Sequence, residues 1–311
     1  MNIFLVTFQS IAILLIIGLV GFWSISKKIV PLKVLDVLSP LIIEISIPAL
    51  IFVNILTKFD SNKMTNWYLL PLWWIIYTLF ILFLTILIGK FIKIPEFKLG
   101  LIYPNSIFIP IAIIPSLFKG NSMMMVELFI FTILSPVFVF NSYFYFYKRE
   151  GKLNLKKIFN PILIATIISM TLVLSGVSGY VPHIIIRVSK MLGALALPLV
   201  MILIGGNLFV DFKRRGKLNI KLITLFLLFR NLIFPLIIFG LLFLVKPNFD
   251  TAFLIFLMTI VPPLTAIPIL VDRAKGDTAL ANQFIVFSLL FSTVTIPLWL
   301  MLFNKYYMSL N

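Results

Sequence analysis

Two proline-rich apolar segments carry the residue types that could bind a solute inside a membrane. Each has two prolines separated by five residues, with polar side chains beside them: Pro104, Asn105, Ser106 and Pro110 in the first segment, and Pro262, Pro263, Thr265 and Pro268 in the second. Proline removes a backbone donor and clashes with the preceding turn, so prolines at this density break a helix. In lipid, such a break is tolerated only where it is buried or lines a wet cavity. Because helix N-termini after the breaks would present partial positive charge, we expect these residues to bind a small organic anion.

Two charged residues lie inside other apolar segments. Glu44 is near the centre of one segment, and Arg230 is well inside another. A charge at the membrane centre costs about 2.5–3.5 kcal/mol on insertion scales, so such residues usually face a cavity or each other. We expect Arg230 to neutralise a bound anion or to pair structurally with a carboxylate. We expect Glu44 to belong to the same site and to couple transport to a proton.

The composition excludes several classes of catalytic site. The chain has no Cys, which excludes disulfides, thiol catalysis and iron–sulfur clusters, and its single His183 excludes a His-rich metal centre. The sequence contains neither a nucleophile–His–acid set nor a phosphate-binding loop. We therefore expect a protein that is not an enzyme and that carries neither a metal nor another cofactor.

The elements that position these residues are predicted to be membrane-spanning helices. Of the 311 residues, 61% are hydrophobic and 12% are charged, whereas soluble domains have about 25% charged residues. The apolar excess must face lipid, where only helices and closed barrels satisfy the backbone. Hydropathy predicts an all-α integral membrane protein with ten spans, near Ile3–Ser24, Leu35–Leu56, Trp67–Gly89, Gly100–Phe118, Met123–Tyr147, Phe159–Ser178, Met191–Val210, Leu222–Val245, Phe249–Val271 and Thr278–Phe303. The proline-rich segments are spans 4 and 9.

The distribution of basic residues predicts the orientation. Loops after the odd-numbered spans hold 18 Lys and Arg residues, whereas the other loops and the C-terminal tail hold seven. By the positive-inside rule the more basic loops face the cytoplasm, so both termini lie outside a cell membrane. Contact with anionic lipid headgroups accounts for the net charge of +16, and no nucleic-acid partner is expected.

The two halves of the chain share landmarks at offsets of 150 to 161 residues. Pro48 matches Pro198, for example, and the proline pair of span 4 matches that of span 9. Each half has five spans, an odd number, so the second half would enter the membrane the other way up, as in the inverted repeats of many secondary transporters. We expect residues 1–147 and 159–311 to be the two repeats, joined by a short basic cytoplasmic loop at residues 148–158.

Short motifs add a family resemblance to the ten-span pattern and its two broken spans. They are found at Pro48–Phe52, Leu197–Leu208, Val261–Ala274 and Ile296–Leu300, and together they resemble the auxin efflux carrier family of permeases, in the bile acid/auxin transporter superfamily. The resemblance implies a substrate site where spans 4 and 9 cross. It also implies a scaffold of spans 1, 2, 6 and 7, often dimeric, against which the other six spans move.

Two departures from that family separate the chain from its plant members. Ser106 and the three apolar residues after it replace a glycine-rich run that usually follows the Asn of span 4, and Ala266 stands where plant members have an Asn. Auxin itself is therefore not inferred. The prediction is a secondary transporter of a small organic anion in the lipid bilayer, with a homodimer through spans 1, 2, 6 and 7.

Two alternatives stay open at this stage. One is a sodium-coupled carrier of the bile acid symporter type, although the expected Glu, Gln, Asn and Ser sodium ligands are sparse around spans 4 and 9. The other is a non-transporting membrane receptor or scaffold, against which the symmetric breaks argue. For span 7, the sequence also predicts that Gly205 and Gly206 permit close helix packing.

Overall fold

The computed structural model describes residues 3–64, 66–118, 123–147, 160–214 and 217–307. Within these ranges the regular secondary structure is helical, and strand-like pairing is limited to an isolated bridge between two residues. The all-helical class that the composition predicts is thereby confirmed. The predicted basic loop at residues 148–158 lies outside the described residues.

The described part of the chain forms twelve principal helices. In chain order they are α1, Ile3–Ser26; α2, Lys33–Lys58; α3, Trp67–Gly89; α4, Pro95–Ile102; α5, Phe108–Leu117; α6, Met124–Tyr147; α7, Pro161–Leu174; α8, His183–Val210; α9, Ile220–Val245; α10, Phe249–Ile260; α11, Ile267–Arg273; and α12, Thr278–Tyr307. Turns interrupt α6 at residues 132–134 and α8 at Leu195, and α8 continues to Arg214.

Seven helices within the described ranges, α1, α2, α3, α6, α8, α9 and α12, are long and apolar enough to cross a membrane. Three more, α5, α7 and α10, are apolar but shorter. Large apolar side chains stay exposed along the long helices, as at Leu79 (58%) and Phe83 (55%) of α3. An apolar surface of this extent is stable against lipid and not against water. The chain is a multi-pass membrane protein.

A close glycine contact joins α1 to α8. A Cβ atom placed on Gly205 would overlap the backbone of Gly18, and one placed on Gly21 would overlap the backbone of Ile202. Small residues serve membrane helices in this way, because helices in lipid gain little from hydrophobic association and depend on close packing. The predicted role of Gly205 in helix packing is confirmed.

A π-helical turn in α9 directs two polar side chains into the protein interior. The turn spans Leu228–Ile233 and comes just before Pro235. Since proline has no N–H, the carbonyl of Asn231 four residues earlier loses its helical donor, and the indole of Trp299 on α12 donates to that carbonyl instead, at 2.9 Å. Arg230 and Asn231 are both 1% exposed. The wide turn therefore lets α9 carry a buried guanidinium.

The glycine contact between α1 and α8 generates a stability prediction. Gly205→Ala should lower the melting temperature of the purified protein in detergent, because forcing extra volume into a packed contact costs roughly 1–3 kcal/mol. Gly240→Ala on α9 is the matched control, since a Cβ there meets nothing within 4 Å and alanine favours a helix over glycine by about 1 kcal/mol. Intrinsic tryptophan fluorescence during heating measures both. Equal melting temperatures for the two variants would contradict the close contact between α1 and α8.

Candidate functional site

Two helix interruptions meet inside the protein. Helix α4 ends at Ile102 and α5 begins at Phe108, while α10 ends at Ile260 and α11 begins at Ile267. The chain leaves α4 and α10 in extended conformations, with φ −101° and ψ 98° at Tyr103 and φ −70° and ψ 150° just after α10. Each interruption therefore exposes backbone donors and acceptors that a continuous helix would have paired.

The two extended segments pair with each other. The N–H of Asn105 donates to the carbonyl of Pro262 at 2.9 Å, and the N–H of Leu264 donates to the carbonyl of Tyr103 at 2.9 Å. Pro104 and Pro263 face each other at the centre of this antiparallel bridge. In that register the two facing residues donate no hydrogen bonds, so prolines fit there without loss. We call this pairing the crossing.

Arg230 joins the same two helices at their C-terminal ends. Its guanidinium donates to the carbonyl of Leu101 in α4 at 3.2 Å, and to those of Val261 at 2.7 Å and Met258 at 3.5 Å at the end of α10. Such carbonyls lack helical donors and carry the negative end of the helix dipole, which a cation stabilises. Arg230 thus holds the backbone beneath the crossing through its two terminal nitrogens, while its Nε atom is buried and has no hydrogen-bond partner among the described residues.

Asn105 keeps one donor unused at the crossing. Its Oδ1 atom accepts from the N–H of Phe108 at 3.2 Å and so caps the start of α5. Its Nδ2 atom is buried and has no hydrogen-bond partner among the described residues, although the residue is only 1% exposed. Next to it, the hydroxyl groups of Ser106 and Ser135 hydrogen-bond at 3.1 Å. A buried amide N–H₂ without an acceptor is rare in folded proteins and points to a missing partner.

A cavity of about 430 Å³ reaches the second interruption. Its walls come from the N-terminal ends of α2 and α12, the C-terminal part of α8, and α11 with the residues before it. They are Leu32, Lys33, Leu35, Asp36, Asn207, Val210, Thr265, Pro268, Ile269, Asp272, Thr278 and Asn282. Asn282 also has a buried Oδ1 atom without a partner in the described part of the chain. The cavity therefore ends on Thr265, one residue from the crossing.

The structure brings most of the predicted site residues together. The predicted residues at the crossing itself are Pro104, Asn105, Pro262 and Pro263. Ser106 is next to it, and Pro110 lies in the first turn of α5. Thr265 and Pro268 face the cavity, whereas Asn105 is not part of its walls.

The two charged residues have different positions from those predicted. Arg230 donates to backbone carbonyls and does not line the cavity described above, an arrangement close to the structural pairing that the sequence left open, with carbonyls in place of a carboxylate. Glu44 is in a π turn of α2 and is exposed, between Ile43 and Ile45, which are also exposed (40% and 43%). The prediction assumed that a carboxylate at this depth turns inward, and α2 turns this face outward.

Glu127, a buried carboxylate in the first turn of α6 (9% exposed), was not among the predicted site residues. The signal was the same as for Glu44, an acidic residue inside an apolar segment, and hydropathy alone does not tell which of the two is buried. Asn282, on the cavity wall, was not among the predicted site residues either. Both become visible only when neighbouring helices are placed around them.

The fold and the crossing define a class of protein, an α-helical multi-pass membrane protein in which two extended segments between helices pair with each other. The sequence model of a family described as "membrane transport protein" matches residues 6–154 and 146–300. The chain belongs to this membrane transport protein family, and the match supports the resemblance to auxin efflux carrier permeases. No curated protein matches the chain. Membership identifies a membrane transporter, a class that is generally not enzymatic.

The position of Arg230 generates a second prediction. Arg230→Gln should lower both the yield and the melting temperature of the purified protein, because a buried carbonyl that loses its charged donor costs about 1–3 kcal/mol. Arg187→Gln, which changes an exposed arginine of α8, should leave both unchanged. Size-exclusion chromatography and thermal unfolding in detergent make the comparison. A stable Arg230→Gln protein that fails only in transport would instead assign the guanidinium to the substrate.

Proposed function

We propose that this protein is a secondary permease for a small organic anion, with its substrate site at the crossing. The observation that carries the proposal is the unpartnered Nδ2 donor of Asn105, which is buried beside the N-terminus of α5. A carboxylate is the natural acceptor for such a donor, and hydrogen bonds to charged groups are worth about 1.5–3 kcal/mol. The N-terminus of α5 would add about 0.3–1 kcal/mol, or up to about 2 when partly buried.

The proposal includes ten spans in two inverted repeats. If α4 with α5 and α10 with α11 are each one span interrupted by its prolines, the twelve helices form ten spans. Residues 1–147 and 159–311 would then be the two repeats, joined by the basic loop 148–158, in a cell membrane with both termini outside. The cavity supports this topology, because its walls are helix ends that the positive-inside rule assigns to the cytoplasmic face.

Alternating access would move α5 against the scaffold of α1, α2, α7 and α8. The seam between them is apolar: Phe108 and Ile111 of α5 face Ile47 of α2 and Ala196 and Val200 of α8 around a minor gap. Apolar contacts without hydrogen bonds can slide at low cost, as rigid-body rocking of one bundle against another requires.

A homodimer through α1, α2, α7 and α8 is part of the same proposal. Glu44 supports it, because an exposed carboxylate in the middle of α2 is costly against lipid tails and is better placed against a partner subunit. The remaining partner is the bilayer itself, whose anionic headgroups would meet the basic loops. The family match does not favour the sodium-coupled or the receptor alternative.

The experiment is uptake and efflux of radiolabelled mono- and dicarboxylic acids by purified protein in proteoliposomes, with pH and sodium gradients varied separately. Asn105→Asp keeps an oxygen for the cap on Phe108 and removes the amide donor, so transport should fall at least tenfold, since about 1.4 kcal/mol gives that factor. Asn54→Asp is the matched control, because the Asn54 amide already donates to Leu50 within α2.

Three results would contradict the proposal. Flux that requires sodium at constant pH would favour the sodium-coupled carrier. Binding without flux for every acid tested would favour a receptor. Normal transport by the Asn105→Asp protein would remove the crossing from the substrate site.

A further inference from the structure

A buried carboxylate on α6 belongs neither to the crossing nor to the cavity. The Oε2 atom of Glu127 is buried and has no hydrogen-bond partner among the described residues, and the residue is 9% exposed. In the described ranges, the salt bridge that is present joins Lys63 to Asp60 and does not involve Glu127. A charged carboxylate is strongly disfavoured in such a place unless something neutralises it.

The neighbours of Glu127 supply one like charge. The first turns of α6 pack against α2, α3, α5 and α10. In the described ranges, the titratable residues that these helices bring to this end are Lys58 of α2, Tyr68 of α3 and Asp250 of α10, while α5 carries none. The loop after α2 adds the ion pair of Asp60 and Lys63, which lines a cavity together with Met123. Asp250 adds a second carboxylate, in the first turn of a helix that packs against this part of α6. A neighbouring negative charge favours the neutral, protonated form of a buried carboxylate.

Aromatic rings surround the start of α10 where Asp250 lies. The ring centroid of Phe118, just after α5, is 6.4 Å from that of Phe249 and 5.0 Å from that of Phe253. These rings lie before and one turn after Asp250 on the helix, and they pack the end of α5 against α10. They lower the local dielectric, which strengthens the interaction between the two carboxylates.

The carboxylate pair and the crossing are at opposite ends of the same two helices. Helix α5 begins beside Asn105 and ends next to Phe118, and α10 begins beside Asp250 and ends in the crossing. Ten residues of α5 correspond to about 15 Å at 1.5 Å per residue. A change of charge at the pair thus acts on the two helices that hold the crossing.

We infer that Glu127, with Asp250 beside it, is a proton-binding site that couples transport to the proton gradient. The coupling, though not the proton binding, rests on the proposed function. The carboxylate of Glu127 takes one proton and becomes a neutral carboxylic acid, which leaves Asp250 as the charge of the pair. On the proposed topology both lie toward the outside, so the proton comes from there. An anion that moves with this proton carries less net charge across the membrane.

A metal ion fits this place less well than a proton. Hard cations such as calcium take six to eight oxygen ligands, and the described residues contain no group of three or more His, Cys, Asp and Glu side chains that could hold a metal. A proton needs only the one carboxylate and a neighbour that favours the neutral acid. The site therefore differs in chemistry from a calcium site.

The direct test needs no substrate. Infrared spectra of the purified protein in lipid nanodiscs, taken over a pH series, should show the carbonyl band of a protonated carboxyl group near neutral pH. Glu127→Gln should abolish the band, and Asp250→Asn should shift its half-maximal intensity to lower pH, because a negative neighbour favours protonation. Asp277→Asn, which changes an exposed carboxylate before α12 and keeps an oxygen to accept from the N–H of Leu280, should change neither. Exchange of sodium for potassium should not shift the midpoint.

Transport then tests the coupling. In proteoliposomes, Glu127→Gln should still move a transported acid down its own gradient but lose the stimulation that an imposed pH gradient gives the wild type. A band that persists in Glu127→Gln, or an unchanged response to the pH gradient, would overturn the inference. If Glu127→Gln does not fold, the Asp250→Asn variant tests the inference instead: an unchanged pH of half-maximal band intensity in that variant would overturn it. A band without flux of any acid would refute the proposed function and leave the proton site standing.

Discussion

Backbone hydrogen bonding in lipid is the constraint on which the rest of this structure depends. No water is available to a free N–H or C=O in the hydrocarbon core, and each one left unpaired costs several kcal/mol. Two interrupted helices would carry many such groups. At the crossing, backbone groups of one interruption hydrogen-bond to those of the other, Asn105 to Pro262 and Leu264 to Tyr103. Neither interruption is satisfied alone, so the two halves of the chain must be built together.

Arg230 completes the same solution from α9. Its guanidinium reaches carbonyls of both α4 and α10, and the π turn before Pro235 is what lets the side chain enter the interior. Asn231, next to it, bonds Ser288 and Ser292 of α12 at 2.9 and 3.0 Å. One wide helical turn therefore connects three helices to the crossing. While these partners satisfy the backbone, the amide N–H₂ of Asn105 keeps no acceptor among the described residues.

The residues whose effect is local were predictable from the sequence. Pro104 and Pro262 lie where one helix ends before the next begins, and Gly205 indicated a close helix contact because only glycine has no Cβ. The charged residues were not predictable in the same way. Arg230 is paired with a carbonyl 129 residues away, and a hydropathy profile shows that a charge needs a partner without showing which one.

The sequence also did not predict which face of each helix turns toward the protein interior. Glu44 and Glu127 give the same signal in the sequence, yet one is exposed on α2 and the other is buried in α6. Apolar residues surround both, so no polar stripe fixes which face turns inward, as it would in a helix of a soluble protein. The faces are set by glycine contacts and by the crossing, which are tertiary features.

The central claim, that substrate binds at the crossing, is tested most directly by thiol labelling in this Cys-free chain. Thr265→Cys places a reactive group on the cavity wall next to the crossing, and a membrane-impermeant maleimide applied to inside-out vesicles should modify it. A transported acid at saturating concentration should slow this labelling several-fold, while labelling of Leu32→Cys, at the α2 end of the same cavity, should keep its rate. Equal rates at Thr265→Cys with and without the acid would contradict the account.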